Sequence, residues 1–158
     1  GSVLFTNQIV KILTEKVSRN KVVQSKDIIT FGLKNSLLEP ESQKYIATKV
    51  KKIYIENLTK IVQQRLNYFT ELTGLKYKNF IVKNLHSKWG SCDRHSQLQF
   101  SLYLIGCSQE IIDYVILHEL VHTKHLHHQK EFWSLCEQYM PEYEQRRKQL
   151  KHTKMLLI

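Results

Sequence analysis

A chain of 158 residues, 42% hydrophobic and 24% charged, has the composition of an ordinary globular protein and enough length to bury a core. No apolar run approaches the ~20 residues of a transmembrane helix, and no signal peptide is visible. The formal net charge of +10 suits acidic partners, nucleic acid being the usual one, but charge alone weighs more toward the plainer reading that lysines merely solvate the surface.

Only 5 Gly and 2 Pro argue against long linkers, so 3–158 reads as a single domain, with a β-hairpin region over 3–40 and helices and sheet over 41–158. Cys92, Cys107 and Cys136 are odd in number and widely spaced, which predicts buried thiols in a reducing compartment and a cytoplasmic location. No C-x-x-C pair is present, so any metal site must rest on histidine.

Residues 3–32 alternate short apolar runs with polar turns: Val3-Leu4-Phe5, then Ile9 to Leu13, Val22-Val23, and Ile28 to Phe31. Thr6-Asn7, Ser18-Arg19-Asn20 and Ser25-Lys26-Asp27 separate them, which predicts a meander of β-hairpins, with 9–17 open to a helical alternative. From Glu41 to Thr73 the spacing turns helical. Ile46, Val50, Ile53, Leu58, Ile61 or Val62, Phe69 and Leu72 recur at threes and fours. Pro40 suits the first helical turn and Gly74 the C-terminal stop. Lys49, Lys51, Lys52 and Lys60 then fall on its wet side.

Phe80-Ile81-Val82 reads as a strand, and Lys88-Trp89-Gly90-Ser91-Cys92 as a compact turn-like segment. Leu98, Phe100 and Leu102 alternate with polar residues, so 97–103 is a half-buried strand bordering whatever follows. Ser108 is a fitting N-cap for a helix over 109–125, in which Ile111, Val115, His118 and His122 make one stripe. A second helix is predicted from Lys130 to Tyr139 and a charged third from 142 to 152, with Arg146, Arg147, Lys148 and Lys151. Trp133 reads as core rather than as a substrate platform.

Within the first of these helices, His118-Glu119-Leu120-Val121-His122 places two imidazoles one turn apart on one face. Both can bind one metal ion, and Glu119 lies where it can reach a water at that ion, the H-E-x-x-H arrangement of zinc hydrolases. A third ligand is needed. His128 is the obvious supplier, His127 a serious competitor, and His125 too near along the same helix. Zn²⁺ is the expected cofactor, and Glu119 would take the water's proton. The strand over 97–103 is available to pair with an extended peptide substrate. Tyr139 and His127 are guesses for an oxyanion donor, with no motif behind either.

Trp89-Gly90-Ser91-Cys92, the strand through Phe100, Ile112-Asp113-Tyr114-Val115 and the H-E-x-x-H segment together resemble the YgjP-like metallopeptidases. Lys124-His125 and His128 through Glu131-Phe132-Trp133 share the pattern, over roughly 45–145. These are bacterial relatives of the SprT and Wss proteases among the zincins. The resemblance implies a compact zincin-like α+β domain, with an antiparallel sheet packed over the metal-binding helix. It implies His118, His122 and His128 as ligands and Glu119 as catalytic acid/base. Leu126 departs from the family's frequent proline. The rival readings are a nucleic-acid-associated protease acting on bound proteins, and a non-catalytic zinc module.

Overall fold

The computed structural model describes residues 2–5, 8–25 and 28–155. Its strands are β1 (Ser2–Phe5), β2 (Gln8–Lys16), β3 (Lys21–Ser25), β4 (Ile28–Leu33), β5 (Asn79–Lys83), β6 (Gly90–Cys92) and β7 (Gln97–Ser101). Its helices are α1 (Pro40–Thr73), α2 (Gln109–Val121), α3 (Lys130–Tyr139) and α4 (Tyr143–His152). The expected α+β class holds: two small sheets pack with helices around a continuous apolar core.

The expected meander does not form. The first sheet has the order β1-β2-β4-β3, with β2 and β4 parallel and the other pairs antiparallel. Burial explains the exchange of places. Ile29 and Phe31 of β4 are fully buried, whereas β3 is exposed along most of its length. The strand with more apolar surface to remove from water takes the middle and the polar one the edge. The open question over 9–17 resolves as strand, since β2 spans Gln8–Lys16. The expected turn at Thr6-Asn7, Lys26-Asp27 of the later turn, and the last three residues lie outside the described residues.

The second sheet repeats the device. Its order is β5-β7-β6, with β5 parallel to β7 and β6 antiparallel to it. This sheet is therefore mixed rather than antiparallel throughout. Again the best-buried strand, β7, sits between the other two. Two consequences correct the sequence reading. With β5 on one side and β6 on the other, β7 has no open edge on which a substrate strand could add. The strand also stops at Ser101, and Leu102–Gly106 winds into a 3₁₀ turn capped by the Ser101 hydroxyl.

Helix α1 begins with Pro40 in its first turn and ends at Gly74, whose φ of 71° is a left-handed conformation that favours glycine. There the Gly74 N–H donates to Thr70 O at 2.9 Å. Tyr54, Leu58, Val62, Leu66 and Phe69 form its buried stripe; Val62 rather than Ile61 faces in, and Leu72 is exposed. Polar chemistry fixes α1 on α2. Arg65 grips Asp113 through Nε and Nη2 at 2.6 and 2.8 Å, and Gln109 donates to the same carboxylate. This two-pronged pairing sets the angle and register of α2 in a way apolar contact alone would not.

Candidate metal centre

Helix α2 is buried on nearly every side, because it runs between α1, β6, α3 and α4. Its last turn carries His118, and His122 is the residue that caps it. The helix thus ends four residues before the sequence suggested. Shorter-range bonds explain the early stop: Thr123 N–H donates to Leu120 O and Lys124 N–H to Val121 O, which winds the chain off the helix axis. The turn that follows leaves Leu126 54% exposed and returns His128 to the helix end. Trp133, on the first turn of α3, donates its indole N–H to the His128 carbonyl at 3.2 Å.

The result is a convergence of three Nε2 atoms. His128 Nε2 lies 3.0 Å from that of His118 and 3.1 Å from that of His122. Among the described residues these three are the one group of His, Cys, Asp or Glu side chains clustered closely enough to share an ion. His127 is exposed and His125 is outside the cluster. His125 contributes instead through its backbone: His122 Nδ1 lies 3.0 Å from His125 O. Donation to that carbonyl puts the proton on Nδ1 and leaves the Nε2 lone pair facing its neighbours.

These residues fit a metal ion. Bare nitrogen lone pairs about 3 Å apart repel, and a cation among them removes the conflict. A tetrahedral ion with bonds of about 2.0–2.1 Å holds its ligand atoms about 3.3 Å apart, a few tenths of an ångström from the observed spacing. Burial holds the His118 imidazole down to about 3, reinforced by His122, His128 and Arg147. Burial also lowers His122 and His128 below the ordinary range. All three are thus neutral donors near pH 7, the form that binds metal. His118 Nδ1 is buried with no hydrogen-bond partner among the described residues, and its ring packs on Phe132 and Tyr114.

Glu119 lines a cavity of about 250 Å³ together with His118, Lys88, Trp89, Gly90, Tyr114, Val115 and Leu150. It is 6% exposed. Burial pushes its carboxyl up to about 8, against the opposing pull of the Lys88 ammonium. A metal cation next door would pull in the same direction as Lys88, favouring the ionised base.

Three contributors escaped the sequence reading. Gly90 presses against Glu119, and Leu150 brings α4 to the cavity wall. Trp133 is half-buried rather than simple core: it stacks on His128 and Tyr143 and carries the Arg147 guanidinium 4.4 Å from its ring centre. The Trp89-Gly90-Ser91-Cys92 motif was the available signal for Gly90. Tyr139 is no oxyanion donor in this arrangement, since its hydroxyl lies 3.5 Å from Thr73 O at the end of α1. The thiols of Cys92, Cys107 and Cys136 are free, two buried and the first half-buried.

The chain is similar in fold to the crystal structure of the metallopeptidase zymogen of Methanocaldococcus jannaschii jannalysin. That likeness has a TM-score of 0.51 at 21% identity, over 57% of this chain and 93% of the other. The metallopeptidase zymogen of Pyrococcus abyssi abylysin aligns at 18% identity and a TM-score of 0.49, over 60% and 99%. No curated protein matches the sequence. A family model described as YgjP-like, metallopeptidase domain, matches residues 5–153. By that match over nearly its whole length, the chain belongs to the YgjP-like metallopeptidase family.

Proposed function

We propose that this protein is a zinc-dependent peptidase in which His118, His122 and His128 hold the ion and Glu119 is the general base. The observation that carries this reading is the convergence of three neutral imidazole nitrogens beside a buried carboxylate that shares a cavity with one of them. When bound, zinc supplies Lewis acidity, which activates water near neutral pH and polarises a carbonyl. Glu119 accepts the proton of the attacking water and delivers it to the departing amide nitrogen. Its buried setting serves both steps: a carboxyl whose affinity for protons is raised takes one readily and still releases it to a more basic amine.

The substrate backbone has an edge to bind. Among the described strands of the second sheet, β6 has one side unpaired, and its Gly90 touches Glu119. An extended peptide added there would lie alongside the base, with main-chain hydrogen bonds fixing its register. A purely structural zinc module has no use for a carboxylate in that place. Location in the cytoplasm is proposed from the three unpaired thiols. Among the described residues no helix is long and apolar enough to cross a membrane.

A second reading, recruitment to nucleic acid, is favoured by one observation. Among the described residues only Lys21, Lys52 and Arg65 pair with carboxylates, so most of the positive charge is uncompensated within the fold. The test of the main reading is metal analysis of the purified protein joined to cleavage of a peptide library. About one zinc per chain with metal-dependent cleavage is expected. A zinc-loaded protein that cleaves nothing in the library would overturn it.

A further inference from the structure

The Trp89-Gly90-Ser91-Cys92 segment holds no ligand and moves no proton in the proposed reaction, yet it forms β6, the strand nearest the base. A Cβ built on Gly90 would lie 2.7 Å from both Cγ and Oε1 of Glu119 and 2.9 Å from its Cδ. Side-chain carbons do not approach that closely without displacing one another. Space, not backbone conformation, is what requires glycine here. Among the described glycines only Gly74 has a positive φ.

The glycine cannot move aside cheaply. Gly90 is paired with Phe100, which is fully buried at the centre of the sheet. The preceding Trp89 carbonyl accepts from Ser101 N–H at 2.8 Å, and the buried Ser101 donates its hydroxyl to Leu85 O at 2.8 Å. The strand is therefore tied on its far side. Glu119, for its part, has no hydrogen bond to its carboxylate among the described residues, and the Lys88 ammonium acts on it through charge without a bond that fixes its rotamer. Gly90 supplies a packing surface, its bare Cα, directly against Cγ, Cδ and Oε1 of Glu119.

We propose that Gly90 is a positioning residue for Glu119: the absent side chain is the slot that holds the carboxylate in its working orientation. This rests on Glu119 being the base, and it extends that reading by giving the glycine of the β6 motif a task. The slot also brings substrate and base together, since a peptide added to the β6 edge would be held by the same strand that holds Glu119.

Gly90→Ala should retain about one zinc per chain and change KM by no more than about twofold, while kcat falls roughly ten- to a hundredfold, the scale expected for ångström-level misplacement of a catalytic group. Melting of the metal-free protein gives a readout independent of turnover. Gly90→Ala should lower the melting temperature in the wild-type background, and Glu119→Ala, which removes Cγ, Cδ and both oxygens, should restore most of the loss. If Gly90→Ala alone does not fold, recovery of a folded Gly90→Ala/Glu119→Ala protein supports the slot equally. An equal loss of melting temperature in both backgrounds, or an unfolded double variant, overturns the proposal. So does unchanged kcat with zinc intact. A wild-type protein that cleaves no peptide would end the peptidase reading, while the melting cycle would still decide the contact.

Discussion

The two sheets of this molecule share one wiring and use it differently. In each, the last strand in chain order inserts between the two that precede it: β4 between β2 and β3, β7 between β5 and β6. Each also contains a glycine with no room for a side chain. At Gly32 of β4 the intruding atoms would be Lys21 Cγ and Val17 Cγ2, at 2.7 and 2.9 Å. Lys21 is an exposed, flexible side chain crossing the strand to pair with Glu15 at 3.1 Å. At Gly90 the neighbour is Glu119, buried and adjacent to the metal centre. One glycine accommodates a solvated ion pair that can give way; the other accommodates a buried carboxylate. On the positioning role proposed for Gly90, the same local requirement is incidental in one sheet and functional in the other.

The contrast can be broken at its strongest point first. His118→Ala, His122→Ala and His128→Ala should each lose most of the bound zinc, measured by elemental analysis, because two imidazoles do not complete a site. Gly32→Ala should leave zinc content unchanged. Retention of full zinc by His128→Ala together with loss by His127→Ala would reassign the third ligand.

Glu119→Gln should keep zinc and fold but reduce hydrolysis about a hundredfold or more, since an amide cannot accept the proton. Undiminished turnover would remove Glu119 from the mechanism and dissolve the difference between the two glycines.

The support of α2 comes next in size. Arg65→Ala leaves the partly buried Asp113 with Gln109 alone, and a loss of about 2 kcal/mol in denaturant unfolding is expected, below the full cost for a deeply buried pair. Lys21→Ala, at an exposed pair, should cost about 0.5 kcal/mol or less.

Acidity provides a signed test. Proton binding to His122 and His128 competes with metal, so zinc content should fall as pH drops below about 6. Zinc content unchanged at pH 4.5 would contradict three-histidine ligation. In the metal-free protein the folded-state pKa of Glu119, about 8, lies above its ordinary 4.5. The native state therefore holds the extra proton between those values. The stability it contributes is complete below about pH 4.5 and is lost as pH rises through about 8. Thermal melts should show that loss in wild type and not in Glu119→Gln. His118, held at about 3, acts oppositely, costing stability as pH falls below 6.5.

The smallest expected effect concerns charge. Nucleic-acid recruitment would act through uncompensated lysines and arginines, including Arg146, Lys148 and Lys151 of exposed α4, and would weaken steeply with salt. Cleavage of a DNA-binding substrate and a neutral one, each with and without DNA, separates it from a plain peptidase. Equal rates in all arms at physiological salt would exclude recruitment.

Sequence alone determined the parts of this protein governed by local rules. The period of α1 and its Pro40 and Gly74 ends, the helical run into His118, Glu119 and His122, and the family signature are all legible within a few turns of chain. Helical repeat and capping depend on neighbouring residues, so they survive without tertiary information. Strand order did not, because pairing is settled by which strand has most surface to bury against the rest of the molecule. That His128 and not His127 joins the cluster was likewise tertiary: it depends on how the 122–129 turn leaves the helix and on the indole of Trp133, eleven residues from His122, holding the His128 carbonyl. Gly90 meets Glu119 across twenty-nine positions of sequence, a contact made only when β6 is laid against α2. Helix geometry put Glu119 next to His118; the packing of a distant strand brought Gly90 against it.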